Sequence, residues 1–269
     1  MLDKLRNWVL DQGYPLEMLA AKAFRDGGFE VQQSLVYYDE ETAKSREIDL
    51  VVVAPDIVGL TRINFAVECK ASKKPWVFFS STYATEGNSR FLTYGVMSTT
   101  AVDLMSEITA NDPFNSKEPI EIALFNRLKW MRKRGLIGYS LREAFSEFDN
   151  AYAALSSAMK AAGHLNQPGT YTNIPYFRII FPIVVINAPL IRCNLDDDGE
   201  LHLEQVDSGE ILFTAPGQER ITTCIRVVTL ERLADFVSEA QKEVAQIRAE
   251  FEHKEREVWK DLFRTEYPV

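Results

Sequence analysis

The sequence predicts a mixed α/β fold in one domain that spans residues 1–269. Three observations support this class. Apolar residues recur at helical spacing between Leu16 and Phe24, and short apolar runs bounded by turn residues follow them. A second helical repeat covers the stretch from about Leu230 to Phe263 and predicts one long carboxyl-terminal helix. The hydrophobic fraction of 46% is sufficient for a sizeable core.

The amino-terminal part contains one predicted helix and three predicted strands. Proline suits a first helical turn and glycine ends a helix, so the helix is predicted to begin near Pro15 and to stop at Gly27 and Gly28. Runs rich in β-branched and aromatic residues, separated by polar turns, predict the strands. These strands are Phe29–Tyr38, Glu47–Ala54 and Ile63–Ala71.

The rest of the chain is predicted to hold an insertion and the second half of the core. Residues 75–141 mix aromatic, polar, proline and glycine residues. We interpret them as loops and short helices inserted between core residues 1–74 and about 142–269. The elements predicted after the insertion are a helix over 142–162, an apolar strand region over 176–193, a hairpin turn at Asp196–Gly199 whose second strand turns Leu201, Leu203 and Val206 inward, and a strand at Ile221–Val228.

Charged residues interrupt two of the predicted strands. Asp49 lies inside an apolar run, where a carboxylate is costly to bury unless it is paired or binds a metal. In the third strand side chains alternate between the faces, so Glu68 and Lys70 share one face while Cys69 points toward the core. Glu17 lies at the edge of the apolar stripe of the first helix. A helix that packs this stripe on the sheet brings Glu17 to the rim of the same charged group.

This order of a helix glutamate, a strand aspartate and a strand Glu-x-Lys resembles the PD-(D/E)xK nuclease superfamily. The resemblance covers Tyr14–Ser72, and its matching strand segments are Arg46–Leu50 and Val67–Ala71. It implies a restriction-endonuclease-like αβββαβ core with a mixed central sheet, in which the active site lies where the second and third strands diverge. The chain departs from the pattern at Ile48, which stands in place of the name-giving proline, and in the long insertion after Lys70.

The resemblance also implies a role for each residue. Asp49 and Glu68 are expected to ligate Mg²⁺ or Mn²⁺ together with the backbone carbonyl of Cys69, and Glu17 to complete the metal or water shell. Lys70 is expected to orient the attacking water and offset developing charge. Mg²⁺ prefers oxygen ligands and keeps several waters, so two or three carboxylates suffice. The metal lowers the pKa of a bound water and stabilises charge on the phosphate.

The predicted function is therefore a metal-dependent endonuclease that hydrolyses phosphodiester bonds, with DNA as the favoured substrate and restriction, repair or defence against foreign DNA as its context. The alternative is a binding or scaffold module of the same fold without catalysis. A net charge of −9 counts against passive binding of nucleic acid, because such binders are usually basic; together with the lack of a strong basic stripe, it mildly favours the module without catalysis. The complete four-residue set favours the enzyme. An acid-x-Lys motif alone is weak, and a second copy at Glu252–Lys254 has no strand around it.

Two basic segments that include aromatic residues are candidate nucleic-acid contacts. The alternative for the first is a strand end followed by core aromatics, and for the second a solvated helix face. The residues predicted to contact nucleic acid are Lys73, Lys74, Trp76, Lys129, Arg132, Lys133 and Arg134.

The long terminal helix and the apolar runs bear on partners and location. The helix repeat fits either a seam with a second copy or a partner protein, or packing on the chain's own sheet. Its members are Val237, Ala240, Val244, Ile247 and Phe251. Prolines interrupt the longest apolar run, residues 177–191, and no signal core follows the amino terminus. We therefore expect no membrane partner and a cytoplasmic location.

Overall fold

The structure is a computed structural model, and it describes residues 1–10, 12–56, 59–81, 84, 92–110, 137–167, 174–196, 198–214 and 222–264. Within these ranges the chain forms five helices and twelve strands. The helices are α1 (Leu2–Leu10), α2 (Tyr14–Asp26), α3 (Thr99–Ala110), α4 (Asn150–Asn166) and α5 (Leu233–Phe263). The strands are β1 (Glu30–Asp39), β2 (Lys44–Val53), β3 (Thr61–Ala71), β4 (Trp76–Ser81), β5 (Leu92–Thr93), β6 (Val96–Met97), β7 (Ile137–Glu143), β8 (Phe177–Asn187), β9 (Leu190–Leu195), β10 (Leu201–Val206), β11 (Ser208–Phe213) and β12 (Thr222–Thr229).

The described strands form one mixed sheet. Its hydrogen-bonded order is β1-β2-β3-β8-β12-β11-β7-β4-β9-β10, with β5 paired to β12 and β6 paired to β8. The first three strands make an antiparallel meander, whereas β8 runs parallel to both β3 and β12. The predicted α/β class, with a mixed sheet and a long carboxyl-terminal helix, is confirmed.

Helices cover both faces of this sheet. On one face, α2, α3 and α5 bury their apolar residues together with Phe65 and Val67 of β3. On the other face, α4 packs against Ala66 of β3 and Val184 of β8. Because adjacent residues of a strand point to opposite faces, the two groups of helices lie on opposite sides of the sheet. The first three strands are therefore enclosed between α2 and α4.

The apolar repeat of α5 packs inside the chain's own core. All five members, from Val237 to Phe251, are buried in the cluster that also contains Phe24 and Phe65. This face is not available to a second copy or a partner protein, so the seam predicted as one of two readings is wrong. None of the described helices combines the length and apolarity that a bilayer span requires.

The predicted insertion is partly wrong, because residues 75–141 contribute to the sheet. β4 alternates buried and half-buried residues and pairs with β7 and β9, so it belongs to the core and not to a loop. The helix predicted over 142–162 begins later, at Asn150, where the Asp149 side chain accepts a hydrogen bond from the Tyr152 N–H and caps it. It also passes Gly163 and continues to Asn166.

The hairpin of β9 and β10 is present, but the predicted inward orientation is wrong for Leu201 and Leu203, whereas Val206 is half-buried against the core. Leu201 is 65% exposed and Leu203 is 59% exposed, and β10 has no buried residue. β10 is the last strand of the sheet order, so no helix layer among the described residues covers it. The alternation of leucines with polar residues predicted that the leucines face the core. At β10, however, the sheet extends beyond the core, so there is nothing for them to pack against among the described residues.

Candidate active site

β2 and β3 stop pairing immediately before the predicted acidic residues. Their antiparallel ladder runs from the Val53–Asn64 pair to the Leu50–Val67 pair and then ends. The next residues in line are Asp49 and Glu68. The carboxylate Oδ2 of Asp49 accepts a hydrogen bond of 2.7 Å from the backbone N–H of Cys69, in place of a strand-to-strand bond. The two carboxylates therefore lie at the fork between two diverging strands.

A local rotation of β2 accompanies this fork. Leu50 packs on the side of α2 and α5, while Ile48 packs on the side of α4, although residues two apart in a strand normally share a face. The rotation takes place at Asp49. The neighbouring strand is distorted at the same level, since Ser34, which lies across from Asp49 in the register, has a φ of 57°. Asp49 is thereby turned away from the regular alternation of its strand.

Glu68 and Lys70 lie side by side on β3, which stays paired with β8 through Ala71. The Nζ of Lys70 is 2.6 Å from Oε1 of Glu68. Glu68 is only 6% exposed, whereas the Lys70 side chain is 37% exposed and reaches the surface. The buried Glu68 and the accessible Lys70 thus share one face near the end of β3, and β8 holds the other edge of this strand.

Glu17 joins this group from α2. The helix is fixed to the sheet by Phe24, whose ring centroid is 6.1 Å from that of Phe65 in β3. Burial raises the pKa of Glu17, and the negative charges of Asp49 and Glu47 raise it further. The charges of Asp49 and Lys70 therefore both act on Glu17.

The carboxylates of the fork destabilise one another's charged forms. Burial raises the pKa of Glu68 to about 7, and the nearby charge of Asp49 adds to the rise. Burial also raises the pKa of Asp49, although the Cys69 N–H and the charge of Lys70 oppose it. Burial works against the charge of Lys70, but Glu68 and Asp49 outweigh it and raise the pKa of the amine. The site holds more negative charge than one lysine balances.

A hard divalent cation fits this donor set. Among the described residues, no three Asp, Glu, His or Cys side chains lie close enough together to hold a metal ion by themselves. Magnesium needs fewer protein ligands than that, because it keeps several waters. Burial is the main cause of the raised pKa values of Asp49 and Glu68, and a cation beside them would lower both values. The Cys69 side chain is buried and its thiol pKa is raised, so only its backbone is suited to ligation.

Contacts between β1 and α4, one of which lies near the fork, were not predicted from the sequence. Tyr37 of β1 is buried and stacks on His164 of α4 at 4.6 Å between ring centroids. Burial raises its pKa, and the charge of Glu68 contributes to the rise, which places Tyr37 near the site. Lys160 of α4 is 3.0 Å from Asp39. Tyr37 and Lys160 come from segments more than a hundred residues apart, so no local pattern could have joined them.

The predicted nucleic-acid contacts have different outcomes. Trp76 is 1% exposed and packs in the core, so its prediction as a base-stacking residue is wrong. Lys73 and Lys74 are exposed, just beyond the end of β3. The predicted contacts Lys129, Arg132, Lys133 and Arg134 lie outside the described residues.

Glu68→Gln is expected to change how the stability of the metal-free protein depends on pH. The folded state holds the Glu68 proton more tightly than the unfolded state, because its pKa is about 7 and not the ordinary 4.5. This stabilisation is complete below the ordinary value and is lost as the pH rises through about 7. Wild-type stability should therefore fall by about 3 kcal/mol relative to Glu68→Gln over this window.

Urea titrations in EDTA at several pH values between about 4 and about 8 measure this difference. A difference between wild type and Glu68→Gln that stays constant with pH would contradict the expectation. Asp26→Asn offers a control, since Asp26 lies on the surface at the opposite end of α2 from Glu17.

Comparison with known proteins does not indicate a function. No protein-family model, no curated protein and no solved structure matches the chain. The arrangement of Glu17, Asp49, Glu68 and Lys70 at the fork of β2 and β3 is accordingly the observation from which a function is proposed.

Proposed function

We propose that this protein is a metal-dependent nuclease of the PD-(D/E)xK type, which hydrolyses phosphodiester bonds with DNA as its favoured substrate. One observation carries the proposal. Asp49 and Glu68 flank the point where β2 and β3 stop pairing, and Lys70 lies 2.6 Å from Glu68 on the same face. Two acids and an amine at a strand fork are the residue types that metal-assisted phosphoryl chemistry requires.

The order and direction of the elements support the same proposal. The chain runs through α2 and the antiparallel strands β1, β2 and β3, continues through β4, β5, β6, α3 and β7, and then passes through α4 and β8. β8 lies beside β3 and runs parallel to it. With β4–β7 and α3 taken as additions, this order is the one expected of the αβββαβ core that the resemblance implies, which supports the proposal. The strands from β12 to β10 in the sheet order extend the sheet on the far side of β8, so they do not contact the fork of β2 and β3.

In this proposal each residue has a separate task. Asp49, Glu68 and the Cys69 carbonyl oxygen would hold Mg²⁺ or Mn²⁺, and Glu17 would bind one of its waters. The cation supplies a water of lowered pKa and stabilises charge on the phosphate. A cation held there would favour the ionised form of Glu68, which would then no longer retain its proton. The Lys70 ammonium, freed from Glu68, would donate to the attacking water and the phosphate.

A catalytically silent scaffold of the same fold is the second candidate. The net charge of −9 favours the scaffold, because binding of nucleic acid depends on neutralising its phosphates and an acidic chain is poorly suited to that. The buried acids at the fork favour the enzyme. A protein that needed only the fold would be stabilised by replacing Glu68 with a neutral residue, because burying a carboxylate beside another one is unfavourable.

The test is digestion of plasmid DNA, single-stranded DNA and RNA by the full chain with Mg²⁺, Mn²⁺ or EDTA. We expect cutting only with metal, no cutting in EDTA, and recovery when excess Mg²⁺ is added back. Gel analysis of the plasmid separates nicked, linear and degraded products. If the wild type is inactive on all three substrates with both metals, the scaffold reading replaces the nuclease.

A further inference from the structure

Two phenylalanines stand in solvent on the loop that joins β7 to α4. Phe145 is 88% exposed and Phe148 is 76% exposed. A phenylalanine normally buries most of its ring, since the ring contributes a large apolar area to the core. Two such rings on one short loop are therefore a local feature that core packing does not explain. We name these two residues the aromatic pair.

The loop that carries the aromatic pair is tied to the end of β3. The Nζ of Lys74 donates to the carbonyl oxygen of Phe145 at 2.7 Å, and the N–H of Ala144 donates to the carbonyl oxygen of Pro75 at 2.9 Å. Ser72 also donates its hydroxyl to the carboxylate of Glu143, just before the loop. The backbone that carries Phe145 is thus held against the end of β3.

Phe145 also adopts a backbone conformation that is unfavourable for its side chain. Its φ is 60°, in the left-handed region that favours glycine. A bulky residue in this region costs roughly 1–2 kcal/mol. The fold holds Phe145 in this conformation although a glycine there would avoid the cost. Such strain is commonly retained at binding sites, which agrees with a role for the exposed ring.

The base of the loop that carries the aromatic pair meets β3 just beyond the proposed active site. Ser72, which contacts the loop base, comes two residues after Lys70, a distance of about 7 Å along an extended strand. Exposed Lys73 and Lys74 lie between them. From Lys70 outward, the surface therefore presents an ammonium group of the site, two further cations and two solvent-facing rings. Cations beside exposed aromatic rings match the phosphate and base of a nucleotide.

We propose that the aromatic pair stacks on unpaired bases of the nucleic acid that the fork cleaves, while Lys73 and Lys74 contact its phosphates. This inference rests on the proposed function. Bases inside a duplex already have both faces stacked, so exposed rings select single strands, frayed ends or flipped bases. Glu147 lies between the two phenylalanines, and its carboxylate would lose its hydration if the loop inserted into a membrane, whereas stacking on a base leaves it in solvent.

The test is equilibrium binding of single-stranded oligonucleotides that carry the fluorescent base 2-aminopurine. It is done with the full chain in EDTA, so that no cutting occurs. Each stacked base is worth roughly five-fold to over a hundred-fold in affinity. The double variant Phe145→Ala and Phe148→Ala is expected to bind at least roughly 25-fold more weakly and to lose the quenching of 2-aminopurine. Duplex DNA of the same length should show a much smaller change.

Two further variants separate stacking from general stickiness and from misfolding. The matched control, Leu201→Ala with Leu203→Ala, removes two exposed apolar side chains from β10 and should leave binding unchanged. Phe145→Gly relieves the left-handed conformation, so it should bind as weakly as Phe145→Ala while its melting temperature rises by roughly 2–4 °C. Phe145→Trp should keep the quenching, because tryptophan also stacks.

The outcomes distinguish this inference from the nuclease proposal. If the wild type cuts with metal but the double variant binds as well as the wild type, the stacking role of the aromatic pair is contradicted and the nuclease proposal stands. Loss of binding and quenching in the double variant, without cutting by the wild type, supports the pair and overturns the nuclease. The stacking role is also contradicted if the wild type binds no oligonucleotide. It is contradicted as well if the wild type binds phosphatidylserine vesicles and the same two substitutions abolish that binding.

Discussion

Replacing Lys70 by alanine is expected to reduce DNA cleavage by at least roughly 10²–10³-fold without unfolding the protein. The ammonium group lies beside Glu68 and reaches the surface, so it is placed to act on both the water and the phosphate. Its loss also removes the charge that lowers the pKa of Glu68, which weakens metal binding at neutral pH. Single-turnover cleavage rates with Mg²⁺, together with circular dichroism, measure the two parts of this expectation.

The chain provides a matched control for Lys70→Ala. Lys254 belongs to the second acid-x-Lys motif, in α5, and it pairs with Glu107 and Glu257 on the surface. Lys254→Ala should cleave at the wild-type rate, because these pairs are solvent-exposed and distant from the fork in sequence and in element. Equal loss in both lysine variants would contradict the assignment of catalysis to β3. Asp49→Asn should resemble Lys70→Ala and should also abolish the binding of Mn²⁺ measured by calorimetry.

Phe65→Ala is expected to destabilise the protein by about 3–5 kcal/mol. Its side chain is fully buried at the centre of an aromatic cluster, with ring centroids 5.6 Å from Phe29, 6.1 Å from Phe24 and 5.4 Å from Phe181. Removing it leaves a cavity between α2 and the sheet that these neighbours fill only in part. Since Phe24 holds α2 on β3, cleavage should also fall through the displacement of Glu17.

Guanidinium titrations measure the stability change, and Phe263→Ala serves as the control. Phe263 is 40% exposed at the end of α5, so its removal should cost less than about 1 kcal/mol. A cost for Phe65→Ala as small as that of Phe263→Ala would contradict the packing of α2 on β3. Restored cleavage in Phe65→Leu would show that the volume of the side chain, and not its ring, positions the helix.

The part of the fold that carries the site could be predicted from local patterns. β1, β2, β3 and α2 lie within about three residues of their predicted ends, because apolar periodicity and Gly or polar turns mark each of them. Asp49 stood out as an acid in an apolar run, and Glu68 and Lys70 as a pair on one strand face. These signals come from neighbouring residues, so a single sequence contains them.

The remainder depends on contacts between distant segments. β4 is short and aromatic, and only its pairing with β7 and β9 makes it a strand of the sheet. Trp76 is buried for the same reason, and the exposed aromatic residues lie elsewhere, at Phe145 and Phe148. The rotation of β2 at Asp49 likewise has no local signal, since it depends on how the strand meets β1 and β3 at once.

The position of β3 between β2 and β8 has a consequence for how the protein is synthesised. One edge of β3 is covered by a strand made just before it, but the other is covered only when β8 emerges, after α4. α5, which packs behind Phe65, is synthesised after all of these strands. Until α5 has been made, the two acids and the amine are therefore on a chain that has not yet fixed their geometry.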